Sequence, residues 1–100
     1  MTKVKLSKNG FSVKGHCTAD VHDEVGRLVC ASVSSAAYMA ANTITEVVKD
    51  KADIKVNDGE MLLNVVSPSK ETLIVLEGFK IHILQLSEQY SNCIKVISEV

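Results

Sequence analysis

The sequence has no long hydrophobic run and no excess of basic residues, and each absence excludes a class of protein. No apolar stretch approaches the roughly 20 residues that a membrane helix needs, and residues 1–5 lead into an alternating strand pattern, which a signal peptide lacks. The 11 basic residues against 12 acidic ones leave a net charge of -1. This balance gives no basic field for nucleic acid. We therefore expect a cytoplasmic protein with no membrane partner and no nucleic-acid partner.

Cysteines are few, and their number is odd. The chain has three, at Cys17, Cys30 and Cys93. Without a secretory signal, an odd count disfavours a disulfide framework and favours reduced thiols. At least one thiol is therefore available for other chemistry.

The 100 residues form one domain, 1–100, because a chain of this length supports a single modest core. No linker or low-complexity segment divides it. Two hairpins are indicated by alternating apolar and polar residues on both sides of a turn signal. The first has Asn9-Gly10 as its turn, which would pair Leu6 with Val13, and the second has Asp58-Gly59.

Two helices and a last strand complete the pattern. Apolar residues at three- and four-residue spacing predict a first helix over about residues 28–49, with Val47 on its buried stripe. Ser67-Pro68-Ser69 is a start signal for a second helix, and residues 93–97 form the last strand. The apolar stripe of the second helix consists of Leu76, Phe79, Ile83, Leu86 and Tyr90.

The element order ββαββαβ predicts an α+β fold, an antiparallel sheet with two helices. Polar residues alternate on most strands, so one face of the sheet should be less fully buried. That face, or an exposed edge strand, is a candidate surface for a homodimer.

The chemistry of the chain centres on Cys30 and His16. Cys30 opens the predicted first helix, where unpaired backbone N–H groups and the helix dipole favour a thiolate. His16 follows the first hairpin, and an imidazole there could exchange the proton that peptide cleavage requires. The pattern therefore indicates a cysteine nucleophile with a histidine partner.

These residues also carry a family resemblance. The chain is similar to the ribosomal-processing cysteine proteases, whose signature is Gly-His, a loop, and an aliphatic-Cys-Ala-x-x-Ser helix start. The matching residues here are Gly15-His16 and the run Val29-Cys30-Ala31-Ser32-Val33-Ser34-Ser35-Ala36. The resemblance covers nearly the whole chain. The chain differs at Cys17, where the family usually has Ala, at Arg27, where it usually has Asp, and in a loop about two residues longer.

The resemblance implies a cysteine protease with Cys30 as nucleophile, His16 as its partner, no cofactor and no metal. Backbone N–H groups of Cys30 and Ala31 are the expected donors to the oxyanion. Gly15 and Ser34 are expected to contact substrate, although Ser34 could instead bond its own helical turn. Members of the family remove a short hydrophobic N-terminal extension, containing adjacent phenylalanines, from ribosomal large-subunit protein twenty-seven. That extension is the partner that the resemblance implies.

Two other functions remain open. The chain could bind a ribosomal-protein tail or another peptide without cutting it. A less favoured alternative is a zinc site made of His16, Cys17, His22 and Cys30, whose spacing lacks the close ligand pairs of structural zinc sites. The loop over residues 17–27 is a lid or a plain connector. Its acids either orient His16 or are simply solvated.

Overall fold

A computed structural model of the chain describes residues 1–15 and 24–99. The elements follow the predicted ββαββαβ order, and the α+β fold is confirmed. In chain order they are β1 Thr2–Ser7, β2 Gly10–Lys14, α1 Glu24–Asn42 with a π-helical continuation Thr43–Val48, β3 Ala52–Asn57, β4 Glu60–Val65, α2 Lys70–Gln89 and β5 Ile94–Ser98. No helix within the described ranges is long and apolar enough to cross a membrane.

The five strands form one mixed sheet in the order β3-β4-β2-β1-β5. Three neighbouring pairs are antiparallel, as predicted, but β5 runs parallel to β1, with Thr2 opposite Ile94 and Leu6 opposite Ser98. The 20 residues of α2 carry the chain back along the sheet, so β5 takes the direction of β4, which is also that of β1. Parallel pairing requires such a crossover connection.

The two hairpins differ in how well the sequence predicted them. Asn57 pairs with Glu60, so Asp58-Gly59 is the second turn as predicted, with Gly59 at a φ of 77°. In the first hairpin, Ser7 pairs with Gly10 and Leu6 with Phe11. The expected pairing of Leu6 with Val13 is therefore wrong, and Gly10 belongs to β2. A Cβ at Gly10 would overlap the backbone carbonyl of Leu63 on β4, so glycine is needed there for close strand approach.

Both helices cover the same face of the sheet. Alternate residues of β1 point into the core, with Val4 and Leu6 buried and Lys3 and Lys5 exposed on the other face. The rings of Phe11 and Phe79 stack with centroids 4.1 Å apart, which joins β2 to α2. The expected difference between the two faces of the sheet is confirmed.

The first helix begins earlier than predicted, because α1 is already helical at Glu24. Its buried side is made largely of small residues: Val29, Val33, Ala37, Ala40 and Ala41. The helix ends near the expected residue, at Val48, but its last turns are π-helical. The wider turn changes which side chains face the core, so Val47 is 74% exposed although the spacing placed it on the buried stripe.

The start of α2 is held by an acidic residue from the loop between α1 and β3. Ser69 is the N-cap and accepts a hydrogen bond from the backbone N–H of Thr72, as the Ser-Pro-Ser signal predicted. Asp50 Oδ2 accepts hydrogen bonds from the backbone N–H of Ser69 (2.9 Å), from its hydroxyl (2.8 Å) and from the hydroxyl of fully buried Thr72 (2.6 Å). These donors, the Thr72 hydroxyl first, hold the pKa of Asp50 below its ordinary value.

We expect Asp50→Asn to lower the free energy of unfolding at pH 7, because the amide cannot accept these three hydrogen bonds at one anionic oxygen. Since the folded-state pKa of Asp50 is lowered, its contribution is complete above the ordinary carboxyl pKa and is lost as the pH falls through the lowered value. Urea unfolding of both proteins between pH 7 and pH 2 measures this difference. Asp53→Asn, an exposed carboxylate on β3, is the control. A stability gap between Asp50→Asn and the native chain that is unchanged at pH 2 would contradict the assignment.

Candidate active site

Cys30 opens into a pocket of about 310 Å³ at one end of the sheet. Cys30 is half-buried and lies beside fully buried Val29 on α1. The pocket has α1 on one side, the ends of β1 and β2 below, and the turn between β3 and β4 at its rim. Its lining residues are Thr2, Val13, Gly15, Cys30, Ser34, Ala37, Tyr38, Val56, Asn57, Asp58, Gly59, Glu60 and Met61.

One face of α1 supplies the wall of this pocket. Cys30, Ser34 and Tyr38 are spaced by four residues each and therefore lie one above the other on the helix. Ser34 is half-buried, whereas Tyr38 is 46% exposed. The wall thus presents a thiol, a hydroxyl and a phenol ring in a line, two of which the sequence analysis had selected.

Gly15 joins the strand ends to the rim of the pocket. Its backbone N–H donates to the carbonyl of Gly59 at 2.9 Å, which ties the end of β2 to the β3–β4 turn. A Cβ at Gly15 would lie 2.9 Å from the Cα of Thr2 and 3.1 Å from the carbonyl oxygen of Met1. Only glycine leaves room for this arrangement, which gives a physical reason for glycine before His16.

The structure brings Cys30, Ser34 and Gly15 together at one pocket, but it places Ala31 elsewhere. Ala31 lines a groove between α1 and α2, on the other side of the helix from the pocket. His16, the expected partner of Cys30, lies outside the described residues. The catalytic and substrate-binding roles of these residues therefore stay predictions.

The early start of α1 removes one physical argument of the sequence analysis. Cys30 is in the second turn of the helix, where backbone N–H groups donate to carbonyls four residues earlier. The N–H groups of Cys30 and Ala31 are thus part of the helix interior, and the helix dipole acts mainly in the first turn. The expectation that an unpaired helix start would favour the thiolate and supply the oxyanion donors is wrong for this helix.

The sequence analysis missed the β3–β4 turn and Tyr38 as parts of the site. The turn comes from a hairpin about 30 residues away in the chain, so no local pattern connects it to Cys30. Tyr38 carried a usable signal, since it lies eight residues after Cys30 and thus on the same helix face.

The other predicted ligands and thiols can be placed only in part. Of the candidate zinc ligands, His16, Cys17 and His22 lie outside the described residues. Cys93 is half-buried against the core, and its carbonyl accepts a hydrogen bond from the Thr2 N–H at 2.8 Å. Cys93 is not among the residues that line the pocket. It therefore offers a thiol control for experiments on Cys30.

A larger groove, of about 780 Å³, lies between the two helices. Small residues of α1 and Gly78 of α2 form its floor, and Met39 is 73% exposed at its edge. Among the residues that the structure describes, no cysteine lines this groove. The smaller pocket at Cys30 is therefore the better candidate for covalent chemistry, and the groove is better suited to packing another surface.

A thiol in a pocket at the end of an α+β sheet, preceded in the sequence by a Gly-His pair, is the arrangement expected of a cysteine hydrolase. The family model described as cysteine protease Prp matches residues 1–95, and the chain belongs to this family of cysteine proteases. No curated protein sequence matches the chain.

Solved structures of the same fold include two of an essential ribosomal processing protease Prp from Staphylococcus aureus. The complex with a covalently linked product peptide is 20% identical with a TM-score of 0.85, and the complex with a substrate peptide is 22% identical with a TM-score of 0.86. Each match covers 99% of this chain and 100% of the other. The SMU.848 protein of Streptococcus mutans is 16% identical with a TM-score of 0.78, over 97% of this chain and 90% of its own.

Two glycine substitutions should change stability in opposite directions. Gly15→Ala should lower the free energy of unfolding by about 1–3 kcal/mol, because the new methyl group meets backbone atoms that cannot move aside easily. Gly78→Ala should raise it by roughly 0.5–1 kcal/mol, because Gly78 is inside α2 and a Cβ there meets nothing within 4 Å. Chemical denaturation measures both. Equal effects of the two changes would contradict the close approach at Gly15.

Proposed function

We propose that the chain is an endopeptidase that removes the hydrophobic N-terminal extension of ribosomal large-subunit protein twenty-seven, with Cys30 as nucleophile and His16 as general acid and base. The observation that carries the proposal is the pocket in which Cys30 and Gly15 meet. Gly15 directly precedes His16 in the sequence. Membership of the Prp family supports Cys30 and His16 in these roles, since both lie within the matched range 1–95 and in the Gly-His and Cys-Ala-x-x-Ser motifs of the sequence.

The proposed reaction has two steps. The Cys30 thiolate attacks the scissile carbonyl carbon, the C–N bond breaks, and protonated His16 gives its proton to the leaving amine. Water then attacks the thioester, with His16 taking its proton, and the carboxylic acid product leaves as the thiol is restored. Donors for the oxyanion must come from outside the α1 interior. The β3–β4 turn and the Ser34 hydroxyl line the pocket and offer such donors.

The pocket has the surface that a hydrophobic peptide needs. Val13, Ala37 and Met61 are buried apolar residues at its base. Tyr38 and Val56, 46% and 52% exposed, stand at its rim, where an aromatic side chain of a substrate could pack against them. A phenylalanine-containing extension is suited to such a site.

The edge of the sheet offers a way to hold the rest of the substrate. β3 is an edge strand, and Val56 of β3 lines the pocket. An extended peptide that paired with β3 would gain main-chain hydrogen bonds and place alternate side chains toward the pocket. The S. aureus protease is solved with a substrate peptide and with a covalently linked product peptide, and a thiol nucleophile accounts for such a link.

We expect Cys30→Ala and His16→Ala each to lower kcat/KM on a peptide that spans the extension by at least about a thousandfold. Cys93→Ala and Cys17→Ala, which remove thiols without a proposed catalytic role, should retain activity. Mass spectrometry of the peptide products identifies the bond that is cut. The assay should be repeated with a zinc chelator, which should have no effect.

Other outcomes would point to the alternative functions. Tight binding of the peptide with no cleavage by the native chain would favour the peptide-binding module. Loss of folded structure on chelation would favour zinc. Cleavage that survives Cys30→Ala but is lost in Cys17→Ala would identify Cys17, and not Cys30, as the nucleophile.

We further propose that the chain is a cytoplasmic homodimer, and that two copies meet through the helices. The sequence analysis favoured the open sheet face or an edge strand, but large apolar side chains are exposed on both helices, in the groove between α1 and α2 at Met39 and next in sequence to its lining residues Val75 and His82. Met39 is 73% exposed on α1, and Ile74 and Ile81 are 63% and 50% exposed on α2. Small residues between them allow a helix of a second copy to approach closely. Burial of this surface would favour association.

Met39→Asp should shift the dimer toward monomer, because it places a charge in the proposed apolar interface. Val66→Asp, at a residue that is 65% exposed outside the groove, is the matched control and should leave the dimer intact. Sedimentation velocity over a range of concentrations measures both. A dimer that survives Met39→Asp and is lost with Ile54→Asp would place the interface at the β3 edge instead.

A further inference from the structure

The uncovered face of the sheet has a row of three lysines on adjacent strands. Lys3 of β1 pairs with Lys14 of β2 on one side and with Lys95 of β5 on the other. Paired residues share a face, and neighbouring strands are about 4.8 Å apart, so the three side chains leave the same face along one line across the sheet. We call these residues the lysine row.

The lysine row is costly for the isolated fold. Like charges directly opposite one another on neighbouring strands are destabilising. All three side chains are exposed. Glu60 of β4 lies opposite Lys14 and ends the row on that side, whereas Lys3 has a lysine opposite it on both neighbouring strands. The ion pair on this face joins Lys5 to Glu99, at 3.3 Å, and no described carboxylate forms an ion pair with Lys3, Lys14 or Lys95. An anionic partner would remove this repulsion.

The surrounding face is also more basic than the protein as a whole. By strand register it carries five lysines, which are Lys3, Lys5, Lys14, Lys55 and Lys95. Against them stand Asp53, Glu60 and Glu99, whereas the complete chain has 11 basic and 12 acidic residues. The net charge of the whole chain led us to expect no nucleic-acid partner. It does not show that basic residues are concentrated on this face of the sheet.

We propose that the lysine row binds the phosphate backbone of single-stranded RNA. A phosphodiester chain carries a charge at every nucleotide, and a flexible strand can match the spacing of the row. An extended acidic peptide points successive side chains to opposite sides and offers one carboxylate per two residues, or roughly 7 Å, on the facing side. The two spacings are similar, but a nucleic-acid strand can turn every phosphate toward the row, whereas an extended peptide turns only every second side chain toward it, so we choose the phosphate backbone as the ligand.

The position of the lysine row relates it to the proposed protease function. The biological role that we infer for RNA binding rests on that proposed function. Gly15 and Thr2 both line the pocket of Cys30. Lys14 comes immediately before Gly15 in the sequence, and Lys3 comes immediately after Thr2. RNA held on the open face would thus lie at the same end of the sheet as the pocket. A ribosomal protein is an RNA-binding substrate, and its RNA could help to bring it to this site.

The binding should depend on charge and not on base sequence. None of the described residues on the open face is aromatic, so the face offers no platform on which bases could stack. For about three phosphate contacts the affinity should fall as roughly the second power of the salt concentration. This predicts a loss of roughly 15-fold between 50 and 200 mM salt.

The test is fluorescence anisotropy of a labelled twelve-nucleotide oligouridylate with the full chain at 50 mM salt. Replacing Lys3, Lys14 and Lys95 together by glutamine should weaken binding at least about tenfold and flatten the salt dependence. The matched control replaces three lysines of the helical layer by glutamine, namely Lys49 at the end of the π-helical continuation of α1 and Lys70 and Lys80 of α2. It removes the same charge and should bind nearly as well as the native chain. Circular dichroism checks that both variants remain folded.

Three results would overturn the proposal. They are absence of RNA binding by the native chain, equal loss in the two triple variants, and tighter binding of a twelve-residue polyglutamate than of the oligouridylate. Peptide cleavage is measured in parallel on each variant. If RNA binding persists in Cys30→Ala, or in a native chain that cuts no peptide, the lysine row binds RNA whether or not the proposed protease activity is correct.

Discussion

The close approach of α1 to the sheet is the constraint on which the site depends. Ala37, Ala40 and Ala41 are almost completely buried, and larger side chains at these positions would push the helix outward. That distance sets where Cys30 lies relative to the strand ends. The bond from Gly15 to Gly59 then fixes the opposite side of the pocket. A single packing distance therefore sets how far the Cys30 thiol lies from the strand ends that form the rest of the pocket.

Much of the fold follows from local patterns, and the errors arise where distant parts of the chain decide. The Asp58-Gly59 turn and the Ser69 cap were predicted because their backbone geometry depends on nearby residues. Gly10 looked like a turn residue, yet it is required by the carbonyl of Leu63 on another strand. The direction of β5 depends on the path of α2 over the sheet, which no local pattern records.

In the candidate site, too, the features set by local sequence were predicted and those set by distant parts of the chain were missed. The four-residue spacing of Cys30 and Ser34 was enough to place them on one face of a helix. The start of α1 was missed because Glu24 and Arg27 are exposed and contribute no apolar periodicity. That error moved Cys30 to a helix end in the prediction and led to the wrong oxyanion donors. The β3–β4 turn entered the site only through tertiary structure.

The pairing of β1 with β5 has a consequence for the order in which the protein folds. β1 lies inside the sheet, yet one of its two neighbours is a strand more than 90 residues later. Both hairpins and α1 can form beforehand, but β1 keeps an open edge until β5 arrives. Contacts of such long sequence separation form late and slow the search for the native state. A growing chain would therefore complete its sheet only as its last strand became available, and proteolytic competence would follow at that moment.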